Sequence, residues 1–317
     1  MRTSAGYLFM QREKFTKLPT TIEEQIALLK KRGMQLEDES FVYHCLSTVS
    51  YYRLSAYVKP YEIDKLSHKL NPQISFSDVW NLYVFDRELR LLFMDALERI
   101  EVALRTSLIN VMSTRYDAWW YLQEDLFKSS WFEVNSKKLI SPADAFKKEI
   151  KSLCGDKSSE GSINHFYKKY NDPHFPPSWM VFEYLSFGKC TSLFRYLKYH
   201  QDKSEICKIF NFHPNIVESG MESLRYTRNI CAHHARLWDK WFVYKPRYLK
   251  ELAKANCTPG TLKEQIALLM LFHMAVSPHS FWKDRLFQLF EKHMTANVPL
   301  KLMGFNLEWK QDALWKM

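Results

Sequence analysis

Between residues 76 and 112 the chain contains neither proline nor glycine, so the two residues that most readily interrupt a helix are missing from it. Leu82, Phe85, Leu89, Leu92, Phe93, Ala96, Ile100, Ala103 and Leu104 recur there at three- and four-residue steps, the spacing of one helix face. The stretch is predicted to form a single long amphipathic helix, and a helix of this length needs partner helices to cover its apolar stripe. Asp86 and Arg90, Asp95 and Arg99, and Glu101 and Arg105 each place an acid four residues before a base, which supports a helix by about 0.2–0.5 kcal/mol per pair. We read these charges as a solvated face; a metal-nuclease role for Asp86, Glu98 and Glu101 is the alternative.

The rest of the chain is consistent with an all-α class. Only 8 of 317 residues are glycine, which argues against a turn-rich β fold, and a hydrophobic share of 46% is that of a globular protein. Thr21 with Glu24, and Thr261 with Glu264, have the capping-box spacing of helix starts. Further helices are expected near 179–200, 215–239, 261–277 and 281–293, with Asn215 and Glu218 as another cap. The segment 116–177 is more polar and is broken by GDKSSEGS at 155–162 and DPHFPPS at 172–178, and it reads as a helical insert.

Several function classes fall away. The longest apolar run, residues 266–276, contains His273 and is followed by Pro278, far short of the roughly 20 residues of a membrane span. No secretion leader is visible at the N-terminus, so a cytoplasmic protein with no membrane partner is expected. Six cysteines without a CxxC pair suggest reduced, mostly buried thiols. A formal charge of +10 and a pI near 9.1 favour polyanionic partners. Aromatic residues beside basic ones, such as Tyr51, Tyr52 and Arg53, could stack on bases.

The densest chemistry lies in RNICAHHARLWD at 228–239. An arginine followed by a histidine after four to six residues is a weak pattern in itself, and Arg195 with His200 satisfies it at what looks like the basic end of a helix. The longer string says more. On a helix Arg225, Asn229 and His233 form one row, with Arg236 three further on and Arg228 bordering it. Such a cluster of cations calls for an anion, and phosphate suits arginine. Histidine to move a proton and arginine to stabilise a phosphorane would support RNA scission by the 2′-hydroxyl, with no metal or cofactor. Arg225 and Arg236 are the candidate RNA-binding residues. His234, turned about 100° from His233 on a helix, is expected to pack in line with Ile230 and Trp238. A hydrogen-bonded polar seam, a dimer contact and a non-cleaving RNA-binding surface are alternatives, whereas no ligand spacing supports zinc.

The string resembles the R-N-x-x-A-H-H-x-R-L-W-N signature of the AbiD/AbiF (Abi-like) abortive-infection family, a branch of the HEPN superfamily. VSYYRLSAYVKPY at 49–61, YVFDRELRLLFMDALERIEVALR at 83–105 and PSWMVFEYLSFGKCTSLFRYL at 177–197 are similar to its other blocks, in order. The resemblance covers roughly 20–250. It implies a HEPN-like helical domain with the insert at about 116–177, followed by a helical extension, 251–317, packed on the same core. It further implies metal-free RNA cleavage in phage defence or as the toxin of a toxin–antitoxin pair. Arg228 and His233 match the catalytic pair, Asn229 the polar residue after the arginine, and His234 the second histidine. Asp239 departs from the usual asparagine. One copy of the motif implies a homodimer, unless a partner supplies the other half.

Overall fold

The computed structural model describes every residue except 1–13, 15, 17, 129–130, 134–137, 156–160, 296 and 317. The N-terminal stretch in which no secretion leader was seen and most of the expected loop at 155–162 therefore lie outside the described residues. The described chain is all-α, with two minor two-stranded sheets. It divides into two compact units between Tyr83 and Val84. Residues 251–317 thus belong to the same unit as 84–250.

The first unit carries α1 (Ile22–Lys31), α2 (Glu39–Thr48) and α3 (Tyr51–Val58), each opened by a side-chain cap from Thr21, Asp38 and Ser50. Thr21 and Glu24 form the expected capping box. A short antiparallel pair, β1 (Glu62–Asp64) and β2 (Lys69–Leu70), follows, with Glu62 opposite Leu70. Phe41, Phe76 and Trp80 meet edge-on and stacked in this unit's core.

The long helix is present as α4 (Phe76–Arg115), 40 residues and about 60 Å. Every stripe residue named above is buried except Ala103, which is half-buried. The charged face is not uniform, however. Asp95 and Arg99 are a partly solvated pair at 3.8 Å, but Asp86 is 0% and Arg90 6% exposed, so the reading of that pair as solvated is corrected. Asp86 stands four residues after Leu82 and three before Leu89, inside the apolar stripe.

The insert is less helical than expected. It holds the antiparallel pair β3 (Trp131–Glu133) and β4 (Lys138–Ile140) ahead of α5 (Pro142–Gly155) and α6 (Ser162–Lys169). Three-residue strands are too short to leave a readable alternation. Beyond it, the helix expected at 179–200 is broken into α7 (Ser178–Val181), a 3₁₀ turn, and α8 (Phe187–Tyr196), which Ser186 caps. The chain continues through α9 (His200–Cys207), α10 (Pro214–Ala232), α11 (Lys250–Ala253), α12 (Leu262–Val276) and α13 (Trp282–His293).

α12 is buried on all sides from Leu262 to His273, as a core helix should be. Its expected capping box does not form. Glu264 instead accepts the Gly260 N–H at 2.7 Å, and the Thr261 hydroxyl donates to the Thr258 carbonyl. α13 packs on α4 through Phe85 with Phe290 and Phe93 with Trp282, whose indole N–H donates to the Leu92 carbonyl at 2.7 Å. Among the described residues no helix is long and apolar enough to cross a membrane. Cys45, Cys190, Cys207 and Cys231 are buried free thiols, and Cys257 is half-buried; the Cys154 side chain lies outside the described residues.

The buried His273 couples the core to pH. It is 1% exposed, and its Nε2 lies 2.9 Å from Ser280 Oγ. Burial pushes its pKa down to about 4, with Arg99 adding to the shift, Asp95 opposing it and Arg285 adding again. In the unfolded chain the same imidazole titrates near 6.5. Because the folded value is depressed, stability is full above about pH 6.5 and declines as pH falls towards 4, by up to about 3 kcal/mol. We expect His273→Gln to flatten this part of a thermal-midpoint profile. An unchanged slope in that variant would rule out His273 as its source.

Candidate functional site

α10 starts one residue earlier than anticipated and by a different device. Pro214 occupies the first turn, and the His213 ring accepts the Asn215 N–H at 3.3 Å. Glu218, expected to cap, instead bonds Lys203 at 3.0 Å and lies 3.6 Å from Arg195. Val217, Gly220, Met221, Leu224, Thr227, Ile230 and Cys231 form its buried face. Gly220 is required for close packing, since a Cβ there would come within 2.6 Å of the Phe272 ring. Arg225, Arg228 and Asn229 are left half-buried at the edges of that face.

The helix does not run on to residue 239. It stops at Ala232 in a left-handed cap. His233 is the C-cap and donates its N–H to the Asn229 carbonyl at 3.0 Å; His234 takes φ +54° and donates to Cys231 O, while the Ala235 N–H reaches back to Ile230 O. These two closing bonds are those of a Schellman motif, with a histidine where glycine is most common. Both imidazole-bearing residues are exposed. The expectation that His234 packs inward along the helix is therefore corrected, because the helix has already ended. For the same reason Arg236 does not extend the Arg225–Asn229–His233 row.

The chain past the turn is held from α4. Buried Asp86 accepts the backbone N–H groups of Leu237 at 3.0 Å and Trp238 at 2.7 Å, and it is ion-paired with buried Arg90. Leu237 and Trp238 are both 0% exposed. The turn with His233 and His234 is thus fixed at one end by the helix and at the other by this carboxylate. Arg236 stacks over the Trp238 ring at 5.5 Å and lies 4.0 Å from Asp239. Asp239 has φ +47°, a left-handed conformation that asparagine and aspartate both tolerate. Burial raises its pKa, and Arg236 opposes that shift.

The motif arginines are not a bare cationic cluster, which corrects the inference that an anion is missing. Arg225 bonds Glu222 at 2.6 Å. Arg228 Nε is 3.8 Å from Glu101 of α4, and this buried nitrogen has no hydrogen-bond partner among the described residues. Glu101 also accepts from Arg105 at 3.2 Å and from the Phe187 backbone N–H. Burial lifts the Glu101 carboxyl above its usual range, while Arg228 and Arg105 pull it back. Arg195 is committed to Glu222 at 2.8 Å. Among the described residues no cluster of three or more histidine, cysteine or carboxylate side chains is arranged to hold a metal. Asp86, read earlier as a metal-nuclease alternative, is a backbone acceptor here.

Sequence reasoning had placed Asp86, Arg90, Glu101 and Arg105 on a solvated helix face, with Asp86 and Glu101 as metal-nuclease alternatives, and not beside the 228–239 motif. For Asp86 the signal was available, namely its position inside the apolar stripe. For Glu101 only Arg105, four residues on, was visible, because its other partners, Phe187 and Arg228, come from α8 and α10.

A model of the family described as Abi-like protein matches residues 44–239, more than half of the 317-residue chain. The match begins within α2 and ends on the last residue of RNICAHHARLWD. No curated protein and no solved structure matches the chain.

Two stability outcomes follow from this geometry. Asp86→Ala leaves a buried guanidinium and two backbone donors without their acceptor, and we expect a loss of about 3–5 kcal/mol in urea unfolding; a loss below ~1 kcal/mol would contradict the clamp. At the turn, His234→Gly should keep wild-type stability to within about 1 kcal/mol, since glycine enters the left-handed region freely, whereas His234→Val should lose about 1–2 kcal/mol. Equal stabilities for the two variants would mean that φ at 234 is not constrained.

Proposed function

The chain belongs to the Abi-like protein family, whose members serve abortive infection, and from that premise we propose that it is a metal-independent endoribonuclease of the HEPN type acting in phage defence or as a toxin. The observation that carries this reading is the turn at the end of α10. It presents two exposed histidines on backbone fixed at both ends, five and six residues after an α10 arginine whose buried Nε has no hydrogen-bond partner among the described residues.

In this reading His233 takes the proton of a ribose 2′-hydroxyl. The 2′-oxygen attacks the adjacent phosphorus, the bond to the 5′-oxygen breaks, and a second imidazole returns a proton to that oxygen. The products are a 2′,3′-cyclic phosphate and a 5′-hydroxyl. Arg228, oriented by Glu101, stabilises charge gathering on the phosphorane. Asn229 positions the substrate beside it, and Arg225 and Arg236 contact flanking phosphates by exchanging their carboxylate partners for them. Imidazoles from two copies of the 228–234 segment meet across one cleft of a homodimer.

The decisive assay is cleavage of a labelled single-stranded RNA in EDTA, with the product ends identified. The wild type should cut and leave cyclic phosphate, and His233→Ala and Arg228→Ala should each lose at least about a hundredfold in rate at unchanged thermal midpoint. Inhibition by EDTA, or product ends bearing a 3′-hydroxyl, would reject the metal-free mechanism. RNA binding without cutting would replace it with a binding role. A purified protein that cuts while sedimenting as a monomer would remove the dimer from the scheme.

A further inference from the structure

The segment that follows the turn, residues 240–250, lies beyond the family match and reads KWFVYKPRYLK. It is an extended ribbon without regular structure until α11. Phe242 is 0% exposed, and its N–H donates to the Gly260 carbonyl at 2.9 Å. The Ser223 hydroxyl is 2.7 Å from the Tyr244 carbonyl, and the Arg247 N–H donates to Ser219 Oγ at 2.9 Å. The ribbon is therefore fastened along α10, and the Tyr244 ring packs on Tyr226, next in sequence to Arg225.

Apart from buried Leu249 and half-buried Lys240 and Pro246, its other side chains are exposed. Trp241 is 57%, Tyr244 43% and Tyr248 77% exposed, unusual for aromatic residues on a backbone this well anchored. Trp241 is nevertheless held. Its indole lies against Gly260, where a Cβ would come within 2.9 Å of the ring, and Gly260 has φ +86° and donates its N–H to Glu264. Lys245 Nζ sits 5.0 Å from the indole centroid. The charges also differ from those of the motif. Arg225, Arg228 and Arg236 each have a carboxylate within 4.0 Å, whereas among the described residues none of Lys240, Lys245, Arg247 and Lys250 does, Lys245 acting on Glu264 only from farther off.

We propose that the 240–250 ribbon is a binding track for single-stranded RNA, with Trp241 and Tyr248 stacking on bases and Lys245 and Arg247 neutralising phosphates. Held aromatic faces interleaved with cations that have no carboxylate within 4.0 Å match a strand whose bases are unpaired and whose backbone carries one charge per nucleotide. A duplex hides its base faces and could not use the rings. A protein partner would be expected to bring acids to these cations and to bury the rings in a packed core. The proposal rests on the reading of the protein as an RNA-cleaving enzyme and supplies the place where the strand is gripped before it reaches His233.

The test separates grip from chemistry by using a fluorescent 2′-O-methyl single-stranded RNA, which has no 2′-hydroxyl to attack. With the full-length chain, Trp241→Ala should weaken binding about tenfold and Tyr248→Ala several-fold at an unchanged salt slope. Lys245→Gln with Arg247→Gln should flatten the slope of log affinity against log salt by about 1.4, or about 0.7 per phosphate contact. Trp241→Phe, which keeps a stacking face, should recover most of the affinity, and thermal midpoints should stay level across the set. Wild-type affinity in Trp241→Ala and Tyr248→Ala would overturn the track, as would a failure of the wild type to bind, or equal affinity for duplex RNA that the variants leave unchanged. Variants that shift sedimentation while leaving RNA affinity intact would reassign the ribbon to a protein interface. If the track behaves as described but unmodified RNA is never cut, the track stands and the cleavage reading falls.

Discussion

The buried carboxylate of Asp86 is the interaction on which the candidate site depends. An isolated charge in a helical core is costly, and this one is offset three ways, by Arg90 one turn along α4 and by the N–H groups of Leu237 and Trp238. Exchange of the pair for apolar residues could leave the core equally stable, but it would release the segment that follows the histidines. The ion pair is better understood as fixing a position than as contributing net stability. It converts the chain after α10 from a surface loop into a strap with both ends attached.

Much of the fold could be read in the sequence, and the failures share a cause. α4 and α12 were legible because uninterrupted apolar periodicity is a local property, and their ends fell within a few residues of expectation. The end of α10 was not. Residues 228–239 continue an acceptable helical pattern, and nothing in their composition announces that His234 adopts a left-handed conformation in place of glycine. The β3–β4 pair in the insert escaped for the same reason, being defined by pairing between segments rather than within them.

The candidate site was legible as a string of residue types and only partly as an arrangement. Arg228, Asn229, His233 and His234 were read as lying within one helix running to 239, whereas that helix ends at Ala232 and the row that joined them to Arg236 does not exist. The counter-charges were invisible because Glu101 is 127 residues from Arg228 in sequence. The interleaving of aromatic and basic residues was noticed at Tyr51, Tyr52 and Arg53, and the same pattern at 240–250 was passed over. Tyr51 is in fact engaged through its hydroxyl by Arg32 at 2.8 Å. Tyr52 beside it is 89% exposed, so exposure alone does not separate the two; the backbone anchoring of 240–250 on α10 and Gly260, which sequence does not report, does.

The contact between Asp86 and Leu237 spans 151 residues, and that separation has a consequence for how the protein is born. During synthesis α4 emerges long before its partner segment, and domains consolidate as their chain becomes available. Contacts this distant in sequence close late, because the entropy of the intervening loop must be overcome first. The turn bearing the two histidines therefore acquires its fixed shape only after nearly three-quarters of the chain has been translated. On the proposed reading the product of translation would attack RNA, and a nascent chain whose histidine turn takes shape this late would be inert towards its own messenger and ribosome for most of its synthesis.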